Sequence, residues 1–450
     1  MQTPGLKYGA VAALVATVLA LPIALSYACS GEALPEIGTE LYHPLAYGDR
    51  PTVEDLQALG RQIFFDPSLS ASGKQSCASC HDPRHAYGAP NRLPVQPGGP
   101  NLDRLGFRNT PSLTYLHSPV AFTEHFYESE PGNSNGDDEG PTGGRTWDGR
   151  VDTGHDQALM PLLDPNEMGN RDPRELLGHL THAAYAARFK ALLSAPGENV
   201  FDDPKASVAW MTVALEAFEG SAPDFHAFTS KYDAYLRDEV ELSPAELRGL
   251  ALFNDMKKGN CASCHTSSHK NPAGHLPLFT DFGYVALAVP RNAALPANRD
   301  PGFHDLGLCG PLRKDLATRP EYCGLFRTPS LRNVARKQSF FHNGAMHSLR
   351  DVVAFYATRD TDPAKWYGRD AAGKPLRYDD LPEAYWANVN ADAPFKPLPG
   401  GRARLNAREI DDIVAFLGTL SDGYTAYKPR VAASGAQLAQ APARPATATH

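Results

Sequence analysis

The pentapeptide Cys-Ala-Ser-Cys-His occurs twice, at residues 77–81 and again at 261–265. Two thiols three residues apart can each form a thioether with a haem vinyl group, and the histidine that follows can swing its imidazole under the same ring to ligate iron. A redox dithiol or half a zinc site also uses paired cysteines, but neither explains a histidine trailing both copies. The chain is therefore expected to carry two covalently bound haem c groups. Cys77, Cys80 and His81 would hold one, and Cys261, Cys264 and His265 the other.

The repeat extends beyond the pentapeptides. Thr52 with Asp55 opens a helical pattern through Leu56, Leu59, Gly60 and Ile63, and Ser243 with Pro244 and Glu246 opens a second through Leu247, Leu250 and Ala251. After each motif comes a similar turn, Phe107-Arg108-Asn109-Thr110-Pro111-Ser112-Leu113 answered by Phe326-Arg327-Thr328-Pro329-Ser330-Leu331. Further on, Trp147-Asp148-Gly149 is answered by His342-Asn343-Gly344. The expected fold is mainly α, with two tandem cytochrome c-like helical domains and long loops, the first over 29–240 and the second over 241–428.

With 450 residues, two or three domains are expected at ~150 residues each. The 43 basic residues against 51 acidic ones leave a net charge of −8, without the broad basic footprint of a nucleic-acid binder. At the N-terminus Lys7 precedes an apolar run from Ala10 to Leu21, and Ser26-Tyr27-Ala28 offers a cleavage site. Residues 1–28 therefore read as a signal peptide. The run ends at Pro22, short of the ~20 residues that span a bilayer, so export to the periplasm is expected without a transmembrane span in the mature chain. Cys29 could carry lipid, although Ser26 stands where a lipoprotein signal prefers an aliphatic residue. Residues 429–450, rich in Ala, Pro and Gln, read as a disordered tail.

The repeat lets the two sites be compared. Ser348 caps a helix in which Leu349, Val352, Val353 and Tyr356 fall on one face, so Tyr356 points inward. Tyr356 stands as far along the chain from His342 as Pro161 does from Trp147, and Pro161 cannot ligate iron. One haem would be closed by a phenolate and the other left open to peroxide. Met346, only four residues after His342, and His85, four residues after His81, are alternative ligands at less suitable positions.

The chain resembles the bacterial di-haem cytochrome c peroxidase and MauG family from about Leu56 to Leu420. The resemblance rests on Phe64-Phe65-Asp66-Pro67, the Arg108 to Leu113 turn, Trp147-Asp148-Gly149-Arg150, Asn166-Glu167-Met168-Gly169, Phe341-His342-Asn343-Gly344 and the last capped helix. Ordinary members have a Met at the position of Tyr356, and a His between the first motif and the Arg-Asn-Thr-Pro turn; here there is no His between Ala86 and Phe107. Both departures resemble the MauG-like branch, and the segments around Asp305 to Cys309 and Asp351 to Asp360 look most like its methanobactin-cluster homologue MbnH. The resemblance implies that hydrogen peroxide oxidises both haems, which then draw electrons from a Trp or Tyr of a periplasmic partner protein, in the MbnH case a copper-binding one. MauG has a Trp two residues before its second motif; here that residue is Gly259.

Carried over residue by residue, the resemblance implies Glu167 as the distal acid above the open haem, Gln157 as a distal amide and Trp147 as a relay between the haems. It also implies a calcium ion held by the Asn109 side chain and the backbone carbonyls of Lys337 and Ser339; hard oxygen donors suit that ion. Cys309 and Cys323 both fall in an insertion of the second half, where an oxidising compartment favours a disulfide. Another insertion, Glu128 to Gly144, carries Asp137, Asp138 and Glu139 and reads as a solvated loop, a docking lip or a cation site. The alternative functions are a peroxidase that takes electrons from a small cytochrome c or cupredoxin, and a plain electron carrier. The open first haem and Glu167 argue against the carrier.

Overall fold

Capping and close helix crossings set the architecture. The computed structural model describes residues 51–116, 120–126, 138–267 and 276–425. The expected signal peptide, Cys29, Asp137 and the tail lie outside them. Helix α1 (Val53–Phe64) begins where the Thr52 hydroxyl accepts the Asp55 N–H at 3.1 Å, and it buries Leu56, Leu59, Gly60 and Ile63. The first motif forms the short α2 (Cys77–Cys80), followed by the two-residue strands β1 (Pro97–Gly98) and β2 (Arg104–Leu105), which pair antiparallel. Then come α3 (Gly154–Leu163), α4 (Pro173–Leu180), α5 (Ala186–Leu193), the long α6 (Pro204–Glu219) and α7 (Ala222–Phe225). Helix α1 packs on α6 so tightly that a Cβ at Gly60 would stand 1.9 Å from the Ala214 carbonyl oxygen. Around this crossing Leu59, Phe64 and Phe218 gather with Leu159 of α3 and Phe225 of α7 into the first core.

The second half repeats the scheme. It runs through α8 (Lys231–Leu236), α9 (Pro244–Asn254), the antiparallel pair β3 (Tyr284–Val285) and β4 (Phe326–Arg327), α10 (Leu349–Thr358), α11 (Pro363–Tyr367) and α12 (Ala407–Gly418). Ser243 and Glu246 form the capping box of α9, and Ser348 caps α10. Helices α9 and α12 cross at Gly249, where a Cβ would lie 2.0 Å from the Asp412 carbonyl oxygen. Each motif is thus preceded by a helix that meets its partner through a glycine.

The second core gathers Phe253, Phe279, Phe355, Ile413 and Phe416, and also Tyr232 of α8. Packing therefore changes core between Phe225 and Tyr232, ahead of the division near 240 that the sequence suggested. These are the two large cores, beside smaller clusters around Tyr284 and Leu381, and the described residues belong to one compact unit. Charge and backbone join the halves. Arg108, half-buried, donates to the buried Asp148 at 2.6 Å and to the buried Asp305 at 2.7 and 2.8 Å. The exchange of backbone bonds is reciprocal: Asn109 N–H donates to the His342 carbonyl at 2.6 Å, and Arg327 N–H to the Trp147 carbonyl at 2.9 Å. Among the described residues no helix is long and apolar enough to cross a membrane.

Candidate functional site

Both motif histidines are held the same way. The carbonyl of Tyr87 faces His81 Nδ1 at 2.9 Å, and that of Phe279 faces His265 Nδ1 at 2.9 Å. A carbonyl only accepts, so Nδ1 carries the proton in each ring and Nε2 keeps its lone pair for a metal. Burial pushes both imidazoles down to about 4, which keeps them neutral as ligands must be. Neighbouring backbone at Pro111 and Pro329, in the two matching turns, supports the rings.

Around the second motif the protein forms a largely apolar cavity. Cys261, Cys264, His265, Val352, Val353 and Tyr356 line it. Tyr356 stacks on Phe395 at 5.1 Å and on Phe341 at 6.2 Å. Burial and the nearby Cys264 and Cys261 raise its phenol, so a phenolate there needs a cation facing it. Two thiols, an imidazole with a free Nε2 and a phenol around one apolar slot fit a haem c. Met346 is buried in the second core and is not among the residues lining the cavity, so the geometry favours Tyr356 of the two. Gly259 does line it, and a Cβ there would stand 2.5 Å from the Leu252 carbonyl oxygen; the backbone leaves no room for a Trp.

The first motif has different neighbours. His85 turns away, with Arg336 carbonyl oxygen 3.1 Å from Nδ1 and Gln338 Nε2 2.9 Å from Nε2. Pro161 lies within α3, one turn after Gln157, and its carbonyl accepts the Met168 N–H at 3.0 Å. The turn carrying Glu167 is wedged against Gly98, whose Cβ would meet the Asn166 carbonyl at 2.2 Å. Glu167 is exposed as a residue, yet protein atoms around its carboxyl push it up to about 7, with Asp164 adding repulsion and Arg150 opposing. Its charge reaches both Cys77 and Cys80. Desolvation raises these thiols, and Cys80 is pushed up to about 12.

Sequence reasoning passed over two neighbours of this motif. Burial pushes Glu219 up to about 8 against the pull of Arg145, and its charge acts on Cys77. Arg145 has a buried Nε without a hydrogen-bond partner. That orphaned donor suits a haem carboxylate. No local pattern marks either residue.

Trp147 is buried, lines the second cavity and donates its indole N–H to the Asn109 carbonyl at 2.8 Å. Asn109 Oδ1 accepts from the Ser339 hydroxyl at 2.9 Å, and burial pushes the nearby Lys337 amine down to about 8. The three residues named for calcium thus lie close together. Cys309 and Cys323 form a disulfide with Cα atoms 4.9 Å apart, and none of the four motif cysteines takes part in one.

These features agree with what the chain is similar to. A family model described as di-haem cytochrome c peroxidase matches residues 54–241. The methylamine utilization protein MauG of Paracoccus denitrificans is 34% identical over 382 residues, 83% of this chain and 90% of that protein. The crystal structure of the diheme peroxidase BthA from Burkholderia thailandensis superposes with a TM-score of 0.71 at 41% identity, over 84% of this chain and 89% of that one. A MauG-like protein associated with microbial copper homeostasis shares the fold at a TM-score of 0.58 and 24% identity, over 84% and 92% of the two chains. The chain belongs to the di-haem cytochrome c peroxidase and MauG family, whose members are peroxide-using oxidoreductases.

Proposed function

We propose that the protein uses hydrogen peroxide to oxidise a Trp or Tyr side chain of a partner protein, by electron transfer through two unequal haem sites. The observation that carries this reading is the inequality itself: Tyr356 lines the cavity of the second motif, whereas Pro161, at the same chain offset from Trp147 as Tyr356 from His342, has no atom able to ligate iron. When bound, the two haems supply iron that accepts electrons from the partner and passes them to peroxide; an anionic oxygen ligand favours the higher oxidation state more than a thioether does.

The chain's own residues bind and move charge around that chemistry. His81 and His265 present Nε2 to the metals. Glu167, poised near neutrality, takes a proton from one peroxide oxygen and returns it to the oxygen that leaves as water. Gln157, one helical turn from Pro161, orients the peroxide. Trp147 carries charge between the sites. A calcium ion would replace the Ser339 hydroxyl at Asn109 Oδ1, beside the backbone carbonyls of Lys337 and Ser339. Export to the periplasm agrees with the disulfide.

Peroxide removal with electrons from a small cytochrome c or cupredoxin is the second reading, favoured by the likeness to a diheme peroxidase. The two part on one measurement. Holoenzyme, peroxide and a candidate exported copper-binding protein are mixed, and the partner is examined by peptide mass spectrometry. An oxidative mass shift on a partner Trp or Tyr supports the first reading. Unchanged partner mass alongside peroxide consumption driven by a reduced cytochrome supports the second.

A further inference from the structure

We infer that Trp386 is the surface residue through which electrons enter from the partner, with Tyr378 as the step between it and the second haem site. The inference rests on the proposed function and names where its electrons cross the protein surface. Gly259 leaves no room for an aromatic relay beside the second motif, so charge must travel another way.

A series of ring contacts bridged by one guanidinium leads outward from Tyr356. Tyr356 stacks on Phe395 at 5.1 Å and 28°. The guanidinium of Arg359 covers Phe395 at 3.7 Å and reaches Tyr378 at 5.4 Å. Tyr378 meets Trp386 edge to face at 5.5 Å. Of the chain's four tryptophans, Trp147 and Trp210 are buried and Trp366 is half-buried, whereas Trp386 is 37% exposed. Trp366 also lies near Tyr356, through Phe355, but the Lys365 ammonium sits 4.2 Å over its ring and opposes a positive charge there. The charge of Arg359 on the chosen route is offset by its two-pronged pairing with Asp360.

The proton arrangement suits single-electron steps. The Tyr378 hydroxyl donates to Asp360 Oδ1 at 3.3 Å, so loss of an electron can send the phenolic proton to that carboxylate, and regain of the electron returns it. The Trp386 indole N–H donates to the Leu381 carbonyl at 2.9 Å. A carbonyl does not take that proton, so Trp386 is oxidised as a cation that keeps its N–H. The partner's aromatic side chain then loses one electron to Trp386. Two such passages remove two electrons from the partner and, with two protons, reduce one hydrogen peroxide to two waters.

The test needs no partner. Holoenzyme is treated with one equivalent of peroxide in the presence of the spin trap 2-methyl-2-nitrosopropane, and trapped sites are mapped by peptide mass spectrometry. The adduct is expected at Trp386, with at least ten-fold less at Tyr424, which is equally exposed at 37% but outside the series. In Tyr378→Phe the Trp386 adduct falls at least ten-fold although the indole is untouched. In Trp386→Phe, a surface change, the adduct moves inward to Tyr378. Retention of both haems and of the helical circular dichroism signal shows that each variant is folded. Equal labelling of Tyr424, or a Trp386 adduct indifferent to Tyr378→Phe, overturns the route. Peroxide consumption without label at Trp386 overturns the route and leaves the proposed function standing, whereas wild-type holoenzyme that consumes no peroxide overturns both.

Discussion

Gly60 in α1 faces the carbonyl oxygen of Ala214 in α6 with only 1.9 Å between that oxygen and the place a Cβ would occupy. Alanine at this position forces the two helices apart and lifts α1 from the first core. Gly60→Ala is expected to lower stability by about 3 kcal/mol in urea or guanidinium unfolding, at the upper end of overpacking costs. Gly249→Ala should do the same in the second half. Gly178 in α4 has open space around it, so Gly178→Ala serves as the control and should be neutral or stabilising by up to about 1 kcal/mol.

The acid at 167 sets a pH dependence. Its carboxyl sits near 7, above its ordinary value of 4.5, because of desolvation. The deprotonated form is the one able to accept a proton from peroxide, so kcat/KM for peroxide is expected to rise through pH ~7 and level off above it. Glu167→Gln removes that inflection and lowers the rate by about 10²–10⁴, the usual span for a positioned acid or base. A retained inflection near 7 would assign the titration to another group.

Tyr356→Met leaves both pairs of motif cysteines intact, so both haems should remain attached. Loss of the anionic ligand should shorten the life of the peroxide-oxidised two-electron state at least ten-fold in stopped-flow spectra. In the unmodified resting ferric protein one high-spin and one low-spin haem are expected by electron paramagnetic resonance. Two low-spin, six-coordinate signals would contradict the open first site.

Asp148 links the halves to acid stability. Burial alone would raise it, but Arg108, Arg150 and the Thr146 hydroxyl outweigh burial and hold its carboxyl below the ordinary 3.8. Its contribution is present above that value and is lost as pH falls through the folded-state value, below pH ~4. Arg108→Met takes the cation from Asp305 and leaves Asp148 with Arg150 alone, and should cost about 3–5 kcal/mol near neutral pH. The variant's loss of stability should narrow as the carboxylates protonate in acid, which pH-dependent thermal unfolding measures.

Local chemistry was legible in the chain. Caps at Thr52, Ser243 and Ser348 depend on residues three apart, and each motif carries its anchors and ligand within five positions. The equal offsets of Tyr356 from His342 and of Pro161 from Trp147 are visible in the chain because the two halves share one plan. Long-range pairings were not legible: Arg108 meets Asp305 across 197 positions, and Arg145 and Glu219 come together only when the chain folds. Tyr378 and Trp386 lie in an irregular stretch after α11 and a 3₁₀ turn, where no period signals which ring faces which. Helix α8 lies before residue 240 yet packs with the second core, because its six residues follow a break in packing, not in composition.

The disulfide imposes an order of biogenesis. Cys309 and Cys323 must lose their thiol protons and electrons to an oxidant, while Cys77, Cys80, Cys261 and Cys264 must stay reduced until vinyl groups arrive. Asn388, two residues beyond Trp386, donates to the carbonyls of Pro320 and Cys323, so the oxidised loop buttresses the turn that bears that indole. Premature oxidation would seal the motif pairs as disulfides and block cofactor attachment, and complete reduction would unclasp the loop. Maturation of this chain therefore requires a thiol chemistry that tells one cysteine pair from two others in the same polypeptide.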